Sequence, residues 1–288
     1  MRISLRFASS LLETRMNRRR FVTTLGAAGL AVATQGARAQ TAIITDDVGI
    51  EADSTKIPVR GGDLPIHFAK PSDKDALPTV LVVHEIYGLN DYIRDVCRRL
   101  AKLGYFAAAP DLFFREGAPS EIADIATLRK TIASRVFDAQ VMADLDACTA
   151  WAAKNGGDPR RLAITGFGWG GRIVWLYATR NTRLAAAVAW YGPLELPRTP
   201  LTPLQANDIV ERLKAPVLGL YGGHDEQIPP DQVQRMRARL AMADEDSMIV
   251  VYPEAGHAFH ADYRTTYRPA EATDGWQRML DWFKRQGM

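Results

Sequence analysis

The chain has 288 residues, is 47% hydrophobic and 24% charged, and carries a formal net charge of +3, the composition of a soluble globular protein with room for one large core. The positive excess belongs to residues 1–39, which hold seven arginines and one glutamate. Without them 29 basic and 32 acidic residues remain, a net of −3, and no basic stripe is left to favour a nucleic-acid partner.

Asn17-Arg18-Arg19-Arg20-Phe21-Val22 sets a twin arginine before an apolar stretch over residues 22–33, and Ala37-Arg38-Ala39 offers a small-residue cleavage site before Gln40. Residues 1–39 therefore read as a signal for the twin-arginine export machinery, removed from a mature protein that is periplasmic or secreted. The apolar stretch is far short of the ~20 residues that cross a bilayer, so no stable membrane span is expected after removal. Met16 stands directly before the signal and is a second candidate start.

Residues 40–288 read as one α/β domain. Residues 40–59 suggest an opening strand or hairpin, Arg60-Gly61-Gly62-Asp63 a turn, and residues 64–69 a second short strand. The β-branched run from Thr79 to Val83, ending in His84-Glu85, has the pattern of a central parallel strand. Asp91 can cap a helix through Leu103, Gly104 closes it, and residues 105–109 form the next strand. A loop over 112–120 carries Arg115, and a helical region over 120–154 is expected to break near Ser134. Leu162 to Ile164 is a short buried strand running into the glycine cluster Gly166-Phe167-Gly168-Trp169-Gly170-Gly171, with a helix behind it over 172–179. Strands over 184–190, 216–221 and 248–252, with helices over 230–243 and 270–285, complete the pattern. Strands alternating with helices at short loop lengths predict a mostly parallel, doubly wound sheet between two helical layers. Cys97 and Cys148 each fall within a helix, on what should be opposite faces of the sheet, and read as two buried thiols.

In open α/β sheets the site lies beyond the carboxyl ends of the strands. Glu85, Asp225 and His257 all stand at such ends. Strand, glycine turn, helix is the setting of a nucleophile elbow, and Gly168 occupies the nucleophile position. The chain order of nucleophile position, acid and base is that of α/β-hydrolase triads. In that arrangement His257 takes a proton from a nucleophile and Asp225 fixes its tautomer, while the N–H groups of Trp169 and Ile86 face a developing oxyanion. Taken singly, Asp225 could merely cap its loop and His257 could be a hydrogen-bonded structural histidine. The His257/His260 spacing lacks matching ligands, so no metal is expected. No dinucleotide fingerprint or phosphate loop appears, and no cofactor is expected.

From about Ile50 onward the chain resembles the dienelactone hydrolase (carboxymethylenebutenolidase) family, an α/β-hydrolase group. The resemblance rests on Val83-His84-Glu85-Ile86-Tyr87-Gly88, Ala109-Pro110-Asp111-Leu112, Gly166-Phe167-x-Trp169-Gly170-Gly171, Trp190-Tyr191-Gly192, Gly222-Gly223-x-Asp225 and Tyr252-x-x-Ala255-Gly256-His257-x-Phe259. It implies an α/β-hydrolase fold acting on small ester or lactone substrates, with a cysteine at the elbow and Asp225 and His257 completing the triad. It further implies that Glu85 interacts with the resting cysteine and that Arg115 helps hold a substrate carboxylate. A second family arginine, shortly after the histidine, has no match at the same spacing; Arg264 is seven residues on.

The departure is Gly168, where the resemblance implies cysteine. Glycine suits a strained elbow backbone but removes the atom that would form an acyl-enzyme. Three readings follow: a hydrolase scaffold without its nucleophile, an enzyme that uses a water activated by His257 or Glu85, or a non-catalytic periplasmic binding protein using the same pocket.

Overall fold

The computed structural model describes residues 42–243 and 246–288, so the export-signal reading lies outside the described residues. Residues 43–288 form one compact unit. Its strands are β1 (Ile50–Val59), β2 (Gly62–Pro71), β3 (Leu77–Val83), β4 (Phe106–Pro110), β5 (Gly157–Phe167), β6 (Leu184–Trp190), β7 (Val217–Gly222) and β8 (Met248–Tyr252). Its helices are α1 (Asp91–Lys102), α2 (Ile125–Thr131), α3 (Asp138–Lys154), α4 (Trp169–Ala178), α5 (Pro230–Met242) and α6 (Pro269–Arg285).

The eight strands form one sheet in the order β1-β2-β4-β3-β5-β6-β7-β8. The β1–β2 hairpin and the β2–β4 pair are antiparallel, and every other pair is parallel. The chemistry of the strands explains their places. β3 and β6 are nearly continuous apolar runs buried along their length, as strands covered on both faces must be. β1, with alternating exposure and Pro58 within it, lies at the edge, where a missing N–H costs no ladder bond.

The chain steps from β3 to β4 in one direction and then crosses back over β3 to β5. Right-handed crossovers therefore set α1 on one face and α3, α4 and α5 on the other, giving three layers. The reversal leaves a crevice between the carboxyl ends of β3 and β5, where such sheets hold ligands.

Local details differ from the sequence reading in ways that have causes. The cap of α1 is Asn90, whose side-chain oxygen accepts the Ile93 N–H at 3.1 Å; Asp91 instead lends its charge to the first turn. The helical region before β5 breaks around Ser134 as expected, but its first part starts later, with α2 beginning on Asp124, which accepts the Thr127 N–H at 2.7 Å, while α3 runs unbroken to Lys154. β5 begins at Gly157 rather than Leu162, because Leu77 and Pro78 pair with Gly157 and Asp158 across a register shift. Cys97 and Cys148 are buried free thiols.

Candidate active site

The elbow is a product of crowding. A Cβ on Gly170 would fall 2.4 Å from the Val83 carbonyl oxygen and 2.6 Å from that of His84, so the start of α4 touches the end of β3 backbone to backbone. Only glycine allows that approach. Gly168 caps α4 with φ +53° and ψ −114°, a conformation that side chains rarely adopt, held by its N–H donating to the Trp190 carbonyl at 3.0 Å. A Cβ there would meet nothing nearer than His257 Nε2, at 3.9 Å. So Gly168 is a glycine for which the surroundings leave room for a side chain, and that side chain would face the histidine.

His257 is held from behind. Its Nδ1 lies 2.8 Å from Asp225 Oδ2, and because a carboxylate only accepts, Nδ1 carries the proton and Nε2 is left with a free lone pair. Asp225 is in turn fixed by the N–H groups of Gln227 and Ile228, at 2.8 and 3.2 Å on its other oxygen. The Tyr191 ring meets the imidazole edge to face at 5.3 Å between centroids. Tyr191, packed against the imidazole, and Ala258, next to His257 in the chain, both have positive φ (37° and 60°), so backbone strain is concentrated here.

Glu85 ends the β3 side of the crevice and is buried. Its Oε2 accepts from the Tyr263 hydroxyl at 2.6 Å, its Oε1 has no hydrogen-bond partner, and Arg264 Nη1 stands 3.8 Å away. Burial pushes the Glu85 carboxyl above the usual glutamate range, and it outweighs the opposing pull of the Tyr263 hydrogen bond and of the Arg264 and His257 charges.

His84 explains how the peptide after Glu85 is aimed. Its Nδ1 donates to the Glu85 carbonyl at 2.7 Å and its Nε2 accepts the Leu112 N–H at 3.1 Å, which fixes one neutral tautomer. Burial lowers its pKa, in keeping with that state. The Gly88 N–H also donates to the Glu85 carbonyl, at 3.1 Å. With that carbonyl held, the Ile86 N–H of the same planar peptide points the opposite way. The His84 ring lies stacked against Trp169, at 5.5 Å between centroids. No side chain caps α4, so its first N–H groups, Trp169's at the head, have no partner within the helix.

The structure thus brings Gly168, His257, Asp225, Glu85, Ile86 and Trp169 together at the ends of β3, β5, β7 and β8. It does not bring Arg115 there. The Arg115 guanidinium forms a two-pronged pair with Asp144 (2.7 and 2.9 Å) and donates to the Arg60 carbonyl, tying the β1–β2 turn to α3. The cation beside Glu85 is Arg264, which the sequence spacing set aside. Tyr263 and Tyr191 also belong to the site, through contacts to Glu85 and His257 that no motif of the sequence marks. His260, three residues past His257, is buried among aromatic rings, its Nδ1 2.6 Å from the Tyr92 hydroxyl. The buried thiols of Cys97 and Cys148 are pushed above the usual cysteine range by burial and lie within α1 and α3, so neither replaces a nucleophile at the elbow. A separate cleft lined by Glu195, Arg198, Asn207 and Arg235 shares no residue with this group, and Arg198 and Arg235 are already paired with Asp208 and Glu195.

Comparison with known proteins agrees with this geometry. The profile of the "Dienelactone hydrolase family" matches residues 65–287. The chain is 53% identical over 250 residues to a protein of Escherichia coli strain K12 named "Putative carboxymethylenebutenolidase", covering 86% of this chain and 92% of that one. It is 50% identical over 277 residues to a protein of the same name from Methylorubrum extorquens, covering 96% and 95%. The crystal structure of a "Putative Dienelactone Hydrolase" from Klebsiella pneumoniae superposes with a TM-score of 0.80 at 54% identity, over 82% of this chain and 99% of that one. With the family profile matching residues 65–287 and half or more of the aligned residues identical to these relatives, the chain belongs to the dienelactone hydrolase family of α/β hydrolases.

Proposed function

We propose that this protein acts on ester or lactone bonds of small substrates without forming a covalent intermediate at position 168. The observation that carries the reading is the pairing of His257 with Asp225 at 2.8 Å while the free Nε2 faces the elbow, 3.9 Å from where a Cβ at Gly168 would stand. That is a general base aimed at the place of attack, with no side chain there to accept the activation.

In this reading His257 Nε2 takes a proton from a water held over Gly168. The resulting hydroxide attacks the substrate carbonyl, and Asp225 stabilises the imidazolium. The N–H groups of Trp169 and Ile86 receive the oxyanion. His257 then returns the proton to the departing alkoxide or enolate. Glu85, its carboxyl raised above the usual glutamate range by burial, stands beside the reacting centre. A substrate carboxylate is met by Arg264, the cation already at the site; Arg115 is engaged by Asp144. By the same reading the protein is exported through its twin-arginine leader and meets its substrate outside the cytoplasm.

The missing nucleophile supports a second reading, a periplasmic protein that binds such substrates without turning them over. The Asp225–His257 pair argues for the first, since binding alone gives no reason to hold an oriented base at the elbow. The deciding experiment measures ester and dienelactone hydrolysis by the protein and its Gly168→Cys variant, each with and without His257→Ala. Turnover by the Gly168 protein that disappears with His257→Ala supports the water mechanism. Turnover only in the Cys variant makes the natural chain a binder on a hydrolase scaffold. N-terminal sequencing of the protein from a periplasmic fraction tests export, with Gln40 expected first.

A further inference from the structure

Arg264 stands beside Glu85 with little of its own to hold it there. Its neighbour Tyr263 donates to Glu85 at 2.6 Å and leans on the Tyr92 ring. The Arg264 side chain makes no hydrogen bond among the described residues; its Nη1 is 3.8 Å from Glu85 Oε1 and its guanidinium 5.5 Å from the centre of the Tyr87 ring. The backbone around it runs in turns, with the Ala261 N–H bonded to Ala258, that of Arg264 to Ala261 and that of Tyr267 to Arg264. Bonds of that kind shape a segment but do not attach it to the rest of the fold.

Asp262, two residues earlier, is attached. Its carboxylate is buried, and its Oδ2 accepts from Arg99 Nη2 at 2.5 Å and from the Ile43 N–H at 3.3 Å. Arg99 is fixed in turn on α1, where its Nε donates to Asp95 Oδ2 at 2.5 Å; the other Asp95 oxygen accepts the Thr45 N–H at 2.6 Å. One guanidinium thus spans two buried carboxylates, and each carboxylate also holds an N–H of the chain ahead of β1. Charge-assisted bonds are the strong, directional kind, so these pin the segment just before it reaches Glu85.

We propose that Asp262 is a positioning residue: pinned by Arg99 and the Ile43 N–H, it sets Arg264 where this cation selects a substrate that bears a carboxylate. This rests on the reading of Arg264 given above and names what places it. Ordering a loose segment around an incoming ligand costs affinity, and a segment pinned beforehand avoids that cost. Electrostatics alone makes the opposite forecast. Asp262 is an anion two residues from the cation, so its removal would by charge alone strengthen the binding of a carboxylate. A loss of carboxylate binding on removing Asp262 is therefore the mark of positioning.

The test titrates furylacrylate, a planar unsaturated carboxylate with no ester, and its neutral amide furylacrylamide into the purified protein by calorimetry. The natural protein should bind the acid more tightly than the amide, and Arg264→Gln should abolish that preference. Asp262→Ala should weaken the acid about tenfold, leave the amide unchanged, and add nothing in the double variant with Arg264→Gln. Ile43→Pro removes only the N–H of an exposed residue and keeps the buried ion pair, so it carries the test if Asp262→Ala fails to fold. It should weaken the acid in the same sense, by about threefold. An unchanged or stronger affinity for the acid in the folded variants, or equal losses for acid and amide, overturns the proposal. If Arg264→Gln still abolishes the preference in that case, the reading of Arg264 survives. If Arg264→Gln keeps the preference, or the natural protein shows none, that reading fails and the proposal with it.

Discussion

The elbow and the loop after β8 build the two halves of the site by opposite means. At the elbow, backbone meets backbone: Gly170 lies so near the Val83 and His84 carbonyls that a single carbon cannot be added, and shape alone fixes the turn. From His257 to Arg264 the work is done by side chains, each held by a partner from another part of the chain: Asp225 for His257, Tyr92 for His260, and Glu85 for Tyr263 and Arg264. The first kind of construction tolerates change at one point only, Gly168, where a Cβ has room. The second spreads its function over residues whose loss changes chemistry before it changes the fold.

The sharpest way to exploit that difference is to fill the one tolerant position. Gly168→Cys should raise ester turnover by about 10³-fold or more, the usual order for supplying a missing nucleophile to an assembled triad, as read by steady-state kinetics. The φ of +53° makes any side chain there cost about 1–2 kcal/mol of stability. Adding His257→Ala to that variant should return the rate to the Gly168 level while leaving the melting temperature nearly unchanged.

Gly170→Ala tests the crowded side of the comparison. With its Cβ 2.4 Å from a backbone carbonyl, the variant should lose ~3 kcal/mol in urea unfolding or fail to fold. A near-neutral result would mean that the elbow is far softer than its contacts imply.

The arginines separate a binding role from a structural one. Arg264→Gln should raise KM about tenfold for a substrate bearing a carboxylate and leave a neutral ester unaffected, since ~1.4 kcal/mol is one decade. Arg115→Gln should leave that ratio alone and instead lower stability by about 2–3 kcal/mol, because it strands the buried Asp144 carboxylate. Reversed outcomes would exchange the two assignments.

The smallest effect concerns Glu85. Its carboxyl is raised above the usual glutamate value, so the folded protein holds this proton more tightly than the unfolded chain does. The resulting stability is fully present below the ordinary glutamate pKa. As pH rises toward the folded-state value it is lost, by ~1.4 kcal/mol for each unit of pH in that window. Glu85→Gln has no proton to lose, so its melting temperature relative to the natural chain should climb as pH rises above the ordinary glutamate value of 4.5. A difference that is flat with pH would mean that Glu85 ionises as an exposed glutamate does.

Much of the architecture was legible because it depends on local patterns. The apolar run of β3, the glycine cluster after β5 and the alternation of strands with amphipathic helices each have one stable arrangement, and together they place Glu85, Gly168, Asp225 and His257 at strand ends. Asn90 was overlooked as the cap of α1 because Asp91 beside it is an equally good capping residue. The start of β5 was set too late because the pairing of Gly157 with Leu77 is a contact between distant segments.

What the sequence determined by itself is the family, the sheet and the glycine turn around Gly168, all carried by short motifs whose spacing is fixed by strand and turn geometry. The tertiary structure alone decided which charges meet. Arg115 turned to Asp144 and Arg264 reached Glu85, because long side chains choose partners by proximity across the fold and spacing along the chain does not encode it. It alone also showed that Gly168, unlike Gly170, has open space above it facing a histidine, since that depends on atoms 89 residues away at His257.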